Sequence, residues 1–256
     1  MKHVSFSSLK IWNECPFKFK LQYLDGLKGF TGNEYTAFGT AIHSVCERSL
    51  LEKNFDADKH FLVEFESAVN SLESENLNEN LISEMKKQGI GIIPFIKPAL
   101  DEYFDEYEVV ATEEALYEDL TEELPEMNCS YKGYIDLVLK TSDGKYHIID
   151  WKSCSWGWDA RRRSERMTTY QLTFYKYFFA KKYGIDMENI ETHFALLKRT
   201  AKNNKVEIFR VTSGDKKVDN AIKLLKRALY NVGKEQFIKN RLSCRNCDFY
   251  KTEHCP

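Results

Sequence analysis

The chain has no stretch approaching the ~18 consecutive apolar residues of a membrane span. Its opening, Met1-Lys2-His3-Val4-Ser5, lacks the long apolar run of a secretory signal. Both absences argue for a cytoplasmic protein without a membrane partner. An even cysteine set is also missing: Cys15, Cys46, Cys129, Cys154, Cys244, Cys247 and Cys255 make seven. In a reducing compartment an odd count argues against a disulfide framework, and clustered thiols then point to metal binding or catalysis. No repeat, low-complexity segment or linker divides the sequence, so 1–256 reads as one domain. No G-x-x-x-x-G-K-[ST] loop occurs, so the chain does not drive ATP-dependent work by itself.

Basic residues are absent from Asp101 to Glu126, where acids are frequent. They return as Arg161, Arg162, Arg163 and Arg166, then Lys176, Lys181, Lys182, Lys198, Arg199, Lys202, Lys205 and Arg210. On a chain of formal net charge -2 this is a local basic face. Such a face suits phosphate contacts, or is simply a solvated helix surface.

Hydrophobic spacing predicts a short helix capped by Ser7 or Ser8 to about Asn13, and a second from Pro16 to about Leu24. Further helices are expected over 36–53, 58–74 and 77–88. Gly89, Gly91 and Pro94 interrupt the pattern, and 95–107 resumes it. Strands are expected over 109–117, 132–140, 146–152, 192–198 and 206–211, with helices over 164–183 and 215–231. The fold class is therefore α/β: a mixed sheet flanked by helices, with a helical insertion over about 44–108.

Two acids sit inside apolar strand runs, where a solvated loop does not explain them. In Tyr134-Ile135-Asp136-Leu137-Val138-Leu139, alternation puts Ile135, Leu137 and Leu139 on one face and Asp136 on the other. In Ile148-Ile149-Asp150-Trp151-Lys152, period two puts Asp150 and Lys152 together. A two-residue turn at Asp143-Gly144 would set the acids on opposite faces. A three-residue loop, Ser142-Asp143-Gly144, pairs Asp136 with Asp150 and gives Gly144 the left-handed position. Facing carboxylates repel unless a cation lies between them, and oxygen ligands suit Mg²⁺ or Mn²⁺. Lys152 beside that ion can orient a water and offset phosphate charge. The plainer reading is a surface ion pair of Lys152 with either acid.

Gly133-Tyr134-Ile135-Asp136 followed by Ile148-Ile149-Asp150-Trp151-Lys152 resembles two motifs of the RecB-like branch of PD-(D/E)XK nucleases. Phe38-Gly39-Thr40-Ala41-Ile42-His43 is similar to that branch's first motif, and Gln171 with Tyr175 to its Gln-x-x-x-Tyr helix motif. The resemblance implies a restriction-endonuclease-like core. It also implies His43, Asp136 and Asp150 as metal ligands, Lys152 as the residue positioning water, and Gln171 and Tyr175 as contacts to the strand or to Lys152. Glu47, Glu113 and Glu114 are candidate additional ligands. The implied reaction is hydrolysis of DNA phosphodiesters, with a single-stranded exonuclease of recombination, repair or CRISPR adaptation as first choice. A structure-specific flap or branch endonuclease, and a non-catalytic DNA-binding subunit beside a helicase partner, are the alternatives. A phage or prokaryotic origin suits the size.

Cys244-Arg245-Asn246-Cys247, with Cys255 and Cys15, resembles the iron–sulfur staple of the AddB nuclease domain and of CRISPR-associated RecB-like nucleases. This implies a 4Fe-4S cluster joining residues 1–25 to 232–256. Four thiolates from both chain ends suit one soft centre on general grounds, and zinc is the rival occupant. Cys46 falls on an apolar helix face and is expected in the core; Cys129 and Cys154 have no evident partner. Trp156, Gly157 and Trp158 precede Arg161, Arg162 and Arg163, so the tryptophans either stack on unpaired bases or anchor the core.

Overall fold

A computed structural model describes residues 2–72, 77–125 and 128–256. Its element order is β1 (His3–Ser5), α1 (Phe6–Glu14), α2 (Pro16–Phe19), α3 (Glu34–Leu51), α4 (Ala57–Asn70), α5 (Glu79–Ile92), α6 (Ile96–Phe104), β2 (Tyr107–Asp119), β3 (Ser130–Thr141), β4 (Tyr146–Cys154), α7 (Ala160–Ser164), α8 (Arg166–Tyr183), β5 (Ile190–Lys198), β6 (Val206–Val211) and α9 (Asp215–Gly233). Among the described residues no helix is long and apolar enough to cross a membrane. The end of the helix expected to reach residue 74 lies outside the described residues, as does Glu126 of the acidic run.

The six strands form one mixed sheet in the order β1-β3-β4-β5-β6, with β2 also on β3. Helices cover both faces. One apolar cluster joins Leu9, Ile135, Val138, Ile148, Phe174, Phe178 and Leu225 under α1, α8 and α9. The other joins Phe38, Ile42, Phe61, Met85, Leu137, Leu139, Ile149 and Trp151 under α3 to α6.

The β3–β4 hairpin has the three-residue loop. Leu137 faces Ile149 and Lys140 faces Tyr146; Thr141 and Lys145 close the loop, and Gly144 has φ +84. Alternation along β3 does not run through, however. Ile135 packs with Val138, while Leu137 and Leu139 pack on the other face. The break falls at Asp136. Opposite it, between the pairs Thr112↔Leu137 and Glu114↔Ile135, stands Glu113 with φ +49, so the partner strand is distorted at the same level.

Other departures have local causes. Ser5 caps α1 and Ser8 completes the capping box, because the unforeseen β1 pairs parallel with β3 over 130–132 and fixes where the helix starts. The expected 164–183 helix is divided at Glu165, whose carboxylate caps α8 through the Met167 and Thr168 amides. Helix α5 runs straight through Gly89 and Gly91, and only the 3₁₀ turn at Pro94 ends it. At Gly89 a Cβ would lie 2.1 Å from the Phe61 ring. The glycine lets α4 and α5 approach and is not a helix stop.

Candidate active site

The site grows from how β3 uses its edges. β2 occupies one edge of β3 along nearly its whole length. The other edge is shared: β1 takes residues 130–132 and β4 takes 137–140. Residues 133–136 lie between them, at a fork where β4 parts from β3. Asp136 stands at the mouth of this fork. Its Oδ2 accepts the Trp151 amide at 2.7 Å, so a side chain replaces the next rung of the ladder.

Asp150 is the next residue of β4 beyond its last pair with β3. Its side chain is only 1% exposed. Lys152 Nζ lies 2.5 Å from Asp150 Oδ2. That contact is an ion pair outside hydrogen-bond angles, and neither Asp150 oxygen has a hydrogen-bond partner among the described residues. Burial pushes both carboxyls up to about 6; Lys152 opposes the rise, and Asp136 adds to that of Asp150. Two buried acids with one ammonium are short of positive charge.

His43, on α3, brings Nδ1 to 3.5 Å from Asp136 Oδ2. Burial first and Lys152 second lower its pKa to about 4, so the ring is neutral at physiological pH, the form that ligates metal. Helical spacing places Glu47 one turn on, and a cavity of about 450 Å³ is lined by Gly39, His43, Glu47, Glu113, Lys152 and Ser153. Burial, then Glu47 and Asp150, raises the Glu113 pKa. Glu114 is elsewhere, held by Lys182 at 2.6 Å and Tyr183 at 2.5 Å.

Gln171 and Tyr175 share a face of α8 and bond to each other, Nε2 to Oη at 3.0 Å. They line a second cavity, of about 330 Å³, with Ser5, Lys132, Gly133 and Tyr134. A Cβ at Gly133 would lie 3.1 Å from both Tyr131 and Tyr175, so glycine is what lets Tyr175 close on the strand. Burial, then Asp150, raises the Tyr175 pKa. The half-exposed Tyr23 and Tyr134 in this cavity escaped the sequence reading. Tyr134 was visible only as a neighbour of Asp136, and Tyr23 as the end of a short helix.

The tryptophans divide: Trp158 is core, set edge-on to Phe194 with ring centroids 5.0 Å apart, while Trp156 is 78% exposed just past β4. The basic face also divides. Arg163 and Lys198 pair with Glu207, Lys181 with Glu123, Lys182 with Glu114 and Arg210 with Glu191. Arg161, Arg162 and Arg166 stay exposed.

Cys15, Cys244, Cys247 and Cys255 line one small cavity between the chain ends. The Asn240 amide donates to Cys15 Sγ at 3.4 Å, Asn240 Nδ2 to the Glu14 carbonyl at 2.8 Å, and the Phe17 amide to the Ile238 carbonyl at 3.3 Å. His254 sits beside Glu253 at 3.5 Å and does not line that cavity. Cys46, Cys129 and Cys154 are buried in the two apolar clusters.

No curated protein matches the sequence. The crystal structure of a candidate exonuclease from Eubacterium rectale superposes with a TM-score of 0.61 at 17% identity, over 96% of this chain and 86% of that one. SSO0001 aligns with a TM-score of 0.39 at 12% identity, over 84% of this chain and 94% of the other. The sequence profile of the PD-(D/E)XK nuclease superfamily, whose members typically use Mg²⁺ or Mn²⁺, matches residues 3–252. With that match over almost the entire length, on a six-stranded mixed sheet flanked by helices, the chain belongs to the PD-(D/E)XK nuclease superfamily.

Proposed function

We propose that this nuclease is a Mg²⁺- or Mn²⁺-dependent deoxyribonuclease that trims single-stranded DNA ends. One observation carries the reading: Asp136, Asp150, Lys152 and His43 converge at the fork between β3 and β4. The donor set suits a divalent ion in kind, and its ligand atoms, not all within 4.8 Å of one another in the fork, would draw together around one. Asp150 Oδ1 is buried and unpartnered, both carboxyls are pushed up for want of a counter-charge, and the neighbouring imidazole is neutral. Asp136, Asp150 and His43 would hold the ion, with Glu113 and Glu47 at its open side. When bound, it supplies Lewis acidity toward the scissile phosphate and the attacking water. Lys152, fixed by Asp150, orients that water and offsets charge gathering on the phosphate oxygens. Gln171 and Tyr175 hold the strand on the far side of the fork. Tyr23, Tyr134 and Trp156 offer exposed rings to unpaired bases, which favours a single strand. Residues 44–108 then act as an insertion that brings cover to the site while α3 supplies His43.

The four-cysteine cavity suits a 4Fe-4S cluster better than zinc. Among the described residues, only His147, Glu191 and His193 form a group of ligand atoms all within 4.8 Å of one another. No three of the thiols therefore lie all within 4.8 Å of one another, against the ~3.8 Å between sulfurs on a tetrahedral zinc with bonds of about 2.3 Å.

The test is digestion of end-labelled single- and double-stranded DNA with Mg²⁺ or Mn²⁺, comparing wild type with Asp150→Ala. Stepwise release of short products from single strands by wild type, reduced at least ~10³-fold in the variant, is expected. Equal cleavage by the two proteins removes the catalytic assignment. Internal cuts in flaps without end trimming replace exonuclease with endonuclease.

A further inference from the structure

The start of β4 carries a second constellation, away from the fork. His147 stands directly opposite Glu191 in the parallel β4–β5 ladder, and His193 follows Glu191 by two residues on the same strand face. One ligand atom from each lies within 4.8 Å of the other two. His147 is 7% exposed and His193 1%, and the Nδ1 atom of each is buried without a hydrogen-bond partner among the described residues. Buried polar atoms are ordinarily paired, so two orphan imidazole nitrogens beside one carboxylate call for an explanation.

The tautomer of His147 sharpens the point. Thr141 Oγ1 donates its single proton to Asp143 Oδ1 at 2.6 Å. With the Thr141 proton on Asp143 Oδ1, the 2.9 Å contact of the same hydroxyl with His147 Nε2 has the ring nitrogen as donor. That leaves the lone pair on Nδ1, the orphan atom. A ring N–H anchored through a hydroxyl to a carboxylate, with the other nitrogen free, is the outer arrangement of a metal-binding imidazole. Phe104 and Tyr103 pack around the rings, at 4.9 Å from His147 and 5.2 and 5.5 Å from His193. Burial also lowers the pKa of both imidazoles. Glu191 meets Lys145 at 3.4 Å and Arg210 at 3.2 Å, and these two cations border a cavity of about 550 Å³ together with Asp143 and the three residues.

We propose that His147, Glu191 and His193 form a second cation site, selective for a zinc-class ion, distinct from the carboxylate fork. Two imidazoles and one carboxylate suit Zn²⁺, Co²⁺ or Ni²⁺, whereas the oxygen-rich fork suits Mg²⁺ or Mn²⁺. Ligand atoms on a tetrahedral ion with bonds of about 2.1 Å lie roughly 3.4 Å apart, so filling the site draws the three, now within 4.8 Å of one another, together by at most about 1.4 Å. Glu191 then exchanges Lys145 and Arg210 for the ion. The bound ion ties β4 to β5 three residues before Asp150. This inference stands on β4 and β5 alone and does not depend on the proposed nuclease specificity.

The experiment titrates Co²⁺ into the full chain with its cysteine region intact and Mg²⁺ in excess, following visible absorption. One equivalent with imidazole–carboxylate ligand-field bands and no thiolate charge transfer is expected. Affinity falls at least about tenfold in His193→Gln and in Glu191→Gln, and is kept in Asp150→Asn. Near-ultraviolet circular dichroism checks that each variant is folded; Glu191 is only partly buried, so its substitution keeps the test usable should His193→Gln fold poorly. No binding by wild type, a spectrum dominated by thiolate bands, or unchanged affinity in folded Glu191→Gln overturns the site.

Discussion

Asp150 shows how a single residue of the proposed site costs the fold stability. Its carboxyl is buried, unpartnered at Oδ1 and close to a second acid, and its pKa of about 6 lies above the ~3.9 of an unfolded aspartate. Between about pH 4 and pH 6 the native state therefore binds more protons than the unfolded chain, and stability from this group falls as pH rises through the folded pKa. Below about pH 4 both states are protonated and the cost disappears. Two pK units correspond to roughly 2–3 kcal/mol, shared with Asp136 through their repulsion. Asp150→Asn keeps the shape and removes the charge. In the absence of divalent ions it should be more stable than wild type at pH 7.5 by about 2 kcal/mol, or several degrees in Tm. The difference should shrink toward pH 4, and added Mn²⁺ should raise the wild-type Tm more than that of the variant. Thermal unfolding across pH, with chelator or Mn²⁺, measures this. A variant less stable than wild type at pH 7.5 would mean that the Lys152 ion pair outweighs burial. Asp136, Asp150 and Lys152 were legible in the sequence because charges inside apolar strand runs have few other reasons to be there. Glu113 was one acid among many, and its φ of +49 is set by the distortion beside Asp136, which no residue pattern announces.

Elements depend on neighbours in ways that spacing alone conceals. Loop length around Gly144 fixed the β3–β4 register, so the levels of the two acids could be read beforehand. The fork itself could not, because it arises when the three-residue β1 borrows the edge of β3 that β4 leaves. Helix α5 teaches the same lesson. Glycine disfavours helix interiors by about 1 kcal/mol, and two glycines in three residues read as a stop. Packing against Phe61, which is fully buried, overrides that preference. The two positions should therefore respond oppositely to one substitution. Gly91→Ala adds a Cβ no closer than 3.7 Å to its nearest neighbour, Lys205, and should stabilise by about 0.5–1 kcal/mol. Gly89→Ala drives a methyl into the Phe61 ring and should destabilise by about 1–3 kcal/mol despite the same gain in propensity. Urea unfolding of the two variants decides it. Stabilisation by both would mean that α4 and α5 separate freely and that the close approach at Gly89 is not needed for the fold.

At the scale of the whole molecule, the two chain ends meet beside α1 and α2 through few direct contacts. The Phe17 amide bonds Ile238, Asn240 bonds the Glu14 carbonyl, Lys18 lies 3.7 Å from Asp248, and Lys239 covers the Phe17 ring at 4.7 Å. That Cys15 and three C-terminal cysteines could share one centre was legible from their placement at opposite ends of the sequence. Their common cavity depends on α1 packing beside α9, which spacing does not reveal. A centre held by these four thiolates closes a loop from Cys15 to Cys255. By the chain-entropy argument for a cross-link of this span, it contributes about 5 kcal/mol against unfolding. Protein purified without oxygen should be brown, with thiolate-to-iron charge transfer, and Cys244→Ser should bleach it and lower the Tm. The effect should be local before it is global. In hydrogen exchange, 1–25 and 234–256 lose protection in the variant, while β4 and β5 hold theirs, because their ladder and the apolar cluster under α3 to α6 include no residue of either end. Colourless protein carrying stoichiometric zinc would reassign the occupant. Undiminished protection of both ends in Cys244→Ser would show that the direct contacts suffice and that the thiols do not staple the chain.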